Sequence, residues 1–181
     1  KFWIKVTRLP QCLIAAGATW LTALLSNGPL WLTTEKVAAA AVMFIGVAGS
    51  SLLHYGIMAN KTYARKYWDV IDIERPDILI ELGSYAICIA ILLSMLYLPQ
   101  VCISITLIDA LAIVAYSLAL HKHWTSKNLT IALICTTPIL LGWLSGHRLH
   151  AAVPYFIGTI FFAYLAREII KDYTDLVANQ G

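Results

Sequence analysis

Six long stretches of this chain are almost free of charge, and each is of a length that crosses a lipid bilayer as a helix. A helix needs about 20 mostly apolar residues to traverse the hydrocarbon core. The stretches run Gln11–Trp31, Val37–Ala59, Ile78–Leu98, Val101–Leu120, Asn128–Gly146 and Ala152–Ala166, the last continuing into a charged helical end. Ser26-Asn27-Gly28-Pro29 breaks the first near its end, Glu81 lies near the start of the third, and Asp109 lies near the middle of the fourth. A closed barrel is the other way to satisfy a backbone in lipid, but these segments do not alternate polar and apolar residues. Only 13% of the residues are charged, against about 25% in soluble domains. The expectation is an all-α, polytopic transmembrane helical bundle forming a single domain over residues 1–181, and soluble classes are excluded.

The basic residues orient the bundle. Eleven of the thirteen Lys and Arg fall in the amino-terminal segment, the loops after the second and fourth spans, and the tail after the sixth. Lys36 and Arg148 stand on the opposite face. Positively charged loops stay on the cytoplasmic side, so the amino terminus is expected on the cytoplasmic-type side of a membrane the sequence does not name. Seven of the ten acids lie in two clusters on that same face, one after the second span and one after the sixth. The net charge of +3 follows from this topology and gives no support to nucleic-acid binding. Asn60-Lys61-Thr62 and Asn128-Leu129-Thr130 match the glycosylation pattern but fall on the inner face, so both read as chance. The cysteines at 12, 88, 102 and 135 lack CxxC spacing and read as free thiols buried in the spans.

The tail carries the chemistry. In Ala166-Arg-Glu-Ile-Ile-Lys-Asp-Tyr-Thr-Asp-Leu-Val-Ala-Asn179, a helix brings Glu168, Asp172, Asp175 and Asn179 onto one stripe, with Arg167 and Lys171 beside it. Oxygen ligands in a row suit Mg²⁺ with a phosphate, and adjacent cations suit the remaining phosphate charge. The same pattern also describes a solvated amphipathic helix end. The cradle reading requires that the last span continue unbroken from Arg167 to about Leu176, and no Gly or Pro interrupts it.

Arg167-Glu-Ile-Ile-Lys-Asp-Tyr-Thr-Asp175 closely resembles the second aspartate-rich motif of the UbiA-type membrane prenyltransferases. Other stretches agree in order. Thr7-Arg8-Leu9-Pro10 resembles the family's opening Arg-Pro segment, and Arg75-Pro76-Asp77 the close of its first motif. Tyr116-Ser117 through Lys122 and Asn128, then Thr137-Pro138 and Gly142, resemble its fourth and fifth spans. The resemblance covers essentially the whole chain and implies a UbiA-like bundle, with about six spans visible of the family's nine. It implies Mg²⁺ held by two acidic motifs against the diphosphate of a prenyl donor. On this chain the metal ligands would be Asp172 and Asp175, joined by Asp69 and Asp72. Diphosphate would meet Arg167, Lys171, Asn60, Lys122 and Arg75, and His54, Tyr55 and Asp109 would line the cavity.

The first motif departs from the family pattern, Asn-Asp-x-x-Asp-x-x-x-Asp before Arg-Pro. Anchored on Asn60, the acidic positions hold Lys61, Ala64 and Trp68; anchored on Arg75-Pro76, they hold Ile71, Tyr67 and Ala64. Asp69 and Asp72 read either as displaced ligands or as loop charges paired with Arg65, Lys66 or Arg75. Asp109 reads as a substrate or proton-relay group, or as a carboxyl hydrogen-bonded to a neighbouring helix. His54 reads as cavity-lining or as a buried, hydrogen-bonded histidine. Two functions follow. One is a membrane protein that binds prenyl chains or other membrane lipid and transfers a prenyl group from a diphosphate with Mg²⁺. The other is a non-catalytic descendant, a structural or lipid-, quinone- or pigment-binding subunit among other membrane subunits.

Overall fold

The computed structural model describes residues 2–27, 33–60, 75–120, 123–146 and 151–178. Its described residues form seven α-helices and no strand: α1 (Phe2–Val6), α2 (Leu9–Asn27), α3 (Thr34–Asn60), α4 (Pro76–Tyr97), α5 (Gln100–Leu118), α6 (Trp124–Leu144) and α7 (Ala152–Ala178). Helices α2 to α7 are the six long and apolar enough to cross a membrane, and the protein is an integral membrane protein. Local chemistry sets several of the boundaries. Pro76 opens α4 and Pro99 immediately precedes α5, where a missing N–H costs nothing and φ is already helical. With 27 residues, α7 is about 40 Å long, more than the ~30 Å hydrocarbon core. Its last turns therefore project beyond the core, and it is unbroken through the acidic tail.

Helix α3 is the centre of the bundle, touching α1, α2, α4, α5 and α6, whereas α7 packs on α6. Close approach depends on glycine. A Cβ on Gly83 would lie 2.5 Å from the Leu53 backbone nitrogen and 2.8 Å from the Gly49 carbonyl oxygen, so α3 and α4 meet backbone to backbone. Gly142 of α6 lies against the Thr19 carbonyl of α2 in the same way. Small residues at crossings are how helices associate where lipid removes the hydrophobic drive between them. The main core cluster is correspondingly small-chained, with Ala38, Ala39, Val42, Met43, Ala90, Leu98, Cys102 and Leu141. Large apolar side chains such as Leu96, Leu111 and Tyr155 point outward, as a lipid-facing surface requires.

Polar side chains within the spans satisfy themselves locally. Thr19, Thr22, Ser26 and Ser50 each donate to the carbonyl four residues earlier. The cysteines are free, but only Cys12 and Cys102 are buried. Cys88 is exposed, which corrects the expectation of four buried thiols: a span residue on the lipid side is apolar without being covered. Lys36, counted in the sequence as a loop charge, sits in the first turn of α3 with its side chain fully buried.

Candidate functional site

Glu168 and Asp172, the described members of the acidic stripe of α7, face the protein. Glu168 is 3% and Asp172 8% exposed, although they lie on the helix end that a solvated reading would place in water. Both oxygens of Asp172 are engaged by the first turn or so of α6. Lys127 Nζ forms an ion pair with Oδ1, and Asn128 Nδ2 donates to Oδ2 at 3.0 Å. Glu168 accepts from Arg167 Nη1 at 2.5 Å and lies 4.0 Å from Lys171 Nζ. Arg167 and Lys171 are the outward members of this cluster.

A second group belongs to the same end of the bundle. Arg8 joins α1 to α2 in a left-handed conformation, with φ of 52°, and its guanidinium stands 5.5 Å from the centre of the Tyr55 ring. That conformation is uncommon for a residue with a Cβ. Cys12 Sγ closes the same turn on the Thr7 carbonyl at 3.1 Å. His54 Nδ1 is 3.2 Å from Ser117 Oγ, and its ring lies 5.3 Å from that of Tyr116. Tyr116 is within electrostatic reach of Glu168, Arg8 and Asp172. The start of α2, the ends of α3, α5 and α7 and the start of α6 thus converge.

Of the residues singled out in the sequence, Asp172, Arg167, Lys171, His54 and Tyr55 come to this end. Asp109 does not. It accepts a hydrogen bond from Thr137 Oγ1 of α6 at 3.1 Å, and seven residues of helix separate it from Tyr116, about 10 Å along the axis. This is the inter-helix hydrogen bond, one of its two expected roles. Arg75 immediately precedes α4 and is exposed. Asp69, Asp72 and Lys122 lie outside the described residues; Asn60 and Asp175 belong to α3 and α7, but their side chains lie outside the description too. Lys127 is the residue of this candidate site that sequence reasoning missed. In the sequence it counts only as a topological charge, and its one signal is its place beside Asn128.

Around Asp172 the described neighbours are hydrogen-bond donors rather than further metal ligands. Mg²⁺ needs oxygen ligands at about 2.0–2.1 Å in near-octahedral array, and here each Asp172 oxygen already accepts one bond, from an ammonium and from an amide. Among the described residues, no group of three His, Cys, Asp or Glu side chains comes together.

No family model and no curated protein matches the sequence. The fold does have a counterpart: a solved structure described as a digeranylgeranylglyceryl phosphate synthase in membranes, with a TM-score of 0.80 at 16% identity. The match covers 99% of this chain and 64% of that one. The chain has the fold of a UbiA-type membrane prenyltransferase. That UbiA-like fold runs through all six spans, while this chain spans about two thirds of the counterpart's length.

Proposed function

We propose that the protein binds an isoprenoid chain along its apolar helices, with the polar head at the charged end of the bundle, and that prenyl transfer from a diphosphate is weak or lost. The observation that carries this is the closed carboxylate of Asp172, held by Lys127 and Asn128. The UbiA-like fold supports the isoprenoid half. A prenyl chain gains about 0.8 kcal/mol per CH₂ on leaving water, and the long apolar helices offer the surface for it. The charged end offers Arg167 and Lys171, both more than half exposed, to an anionic head.

Mg²⁺ in such a site would stabilise the leaving diphosphate. Asp172, paired with Lys127 and Asn128, is drawn away from that role. Losing about 4 kcal/mol of transition-state stabilisation slows a reaction roughly a thousandfold. The test is diphosphate release from a prenyl diphosphate with Mg²⁺, beside an Asp172→Ala, Asp175→Ala control. Little or no release, with an isoprenoid or quinone co-purifying, is the expected result. Turnover in the ordinary enzyme range, abolished in the control, would overturn it.

The charge distribution supports the orientation in which the amino terminus and the α7 tail share the cytoplasmic-type side. Cysteines replacing Lys5 and Lys171 should then react with an impermeant reagent from the same side of sealed vesicles. Labelling from opposite sides would reject this topology.

A further inference from the structure

The pairing at Asp172 has two features that an ordinary inter-helix salt bridge does not require. The first is that consecutive residues of α6, Lys127 and Asn128, close both oxygens of one carboxylate. The second is an orphan acceptor. Asn128 is 2% exposed, its amide nitrogen is spent on Asp172, and its Oδ1 has no hydrogen-bond partner among the described residues. A buried amide oxygen left open is unfavourable, because it has given up water without gaining a partner. That open oxygen belongs to the residue whose nitrogen bonds the carboxylate. Lys127, bonded to the other oxygen of Asp172, leaves the amide oxygen open.

We propose that Lys127 stands in for a divalent cation at this site, neutralising Asp172 from within the chain and meeting the isoprenoid head group directly. An ammonium has three donors, and Asp172 takes one. The Lys127 side chain keeps 23% of its surface exposed, so the remaining donors have an outlet towards a head group. Tethering matters as much as charge. A group held on the adjacent helix meets the carboxylate without the cost of association from solution. The head group is then held by Lys127 with Arg167 and Lys171 nearby, and no divalent ion is needed. The metal half of this inference stands without the isoprenoid reading; the head-group half rests on it.

The experiment uses the full chain in lipid nanodiscs, as wild type, Lys127→Gln, and Lys127→Gln with Asp172→Asn. Melting is followed in EDTA and in millimolar Mg²⁺, and binding of geranylgeranyl diphosphate is measured in both. Wild type should melt at the same temperature in the two buffers and bind the probe equally within about twofold. Lys127→Gln, which frees Asp172 and leaves an open oxygen set, should gain about 3 °C or more with Mg²⁺. It should also bind the probe about tenfold more weakly in EDTA, with Mg²⁺ restoring binding. Asp172→Asn should abolish both Mg²⁺ responses. Should Lys127→Gln show no Mg²⁺ response, Lys127 is only a tie between helices and the inference fails. Wild type stabilised by Mg²⁺ as strongly as the variant overturns it equally. If the variant does not fold, a Mn²⁺ titration of wild type by electron paramagnetic resonance decides alone: bound Mn²⁺ that disappears in Asp172→Asn refutes the stand-in, and no bound ion supports it. A probe that binds in neither buffer refutes the isoprenoid reading, while the melting arm still decides the role of Lys127.

Discussion

Two helix seams in this protein are held by opposite means. Between α3 and α4 the contact is steric: Gly49, Gly56 and Gly83 let backbones approach until a single Cβ would collide. Between α6 and α7 the described polar contacts are an ion pair and an amide hydrogen bond on one carboxylate, near one end of both helices. In lipid, helices gain little from burying apolar surface against each other, because the tails are equally apolar. Steric fit and polar pairing are the alternatives. The first works along a whole crossing and carries no chemistry. The second concentrates charge at one point, and in this molecule that point is the end where the candidate site lies.

The largest effect should come from filling the steric seam. We predict that Gly83→Leu destabilises the bundle by about 3 kcal/mol, at the upper end of overpacking costs. The colliding atoms are Leu53 and Gly49 backbone, which cannot swing away as a side chain would. Thermal unfolding in nanodiscs measures it. The same change at Gly17, where a Cβ meets nothing within 4 Å, should stay within about 0.5 kcal/mol. Equal effects at both positions would mean that α3 and α4 are not in the contact described.

At the polar seam the expected effect is smaller and depends on which partner is left. We predict a loss of about 2 kcal/mol for Asp172→Ala, less than for a fully buried pair because Lys127 keeps a path to water. Replacing both partners, Lys127→Met with Asp172→Leu, should recover part of that loss, since an apolar pair needs no desolvation, although the buried Asn128 amide still loses its acceptor. A double-mutant cycle on melting reads the coupling. Additive losses would mean the two side chains do not interact.

The smallest effect is expected within the bilayer, away from both seams. Thr137→Val removes the hydrogen bond to Asp109 and should cost about 0.6 kcal/mol, the average for polar contacts between membrane helices. A loss several times larger would give Asp109 a role beyond holding α5 to α6.

The fold class was readable because the requirement for about 20 apolar residues per span is local and severe. The expected spans fall on α2 to α7 with ends shifted by only a few residues, and the fold has a solved UbiA-like counterpart. The exposure of Cys88 and the burial of Lys36 were not readable. Composition tells lipid from water, but it does not tell the lipid face of a span from its protein face when both are apolar.

The sequence by itself also determined the acidic stripe. Glu168 and Asp172 share a face because helical spacing is a property of the backbone, whatever surrounds it. Only the tertiary structure decided that the stripe turns inward, and which cation meets it. Lys127 reaches Asp172 across 45 positions of chain, through the packing of α7 on α6. No periodicity connects residues so far apart. An inward-facing carboxylate takes whichever partner the neighbouring helix presents, and that partner is fixed by where two helices cross.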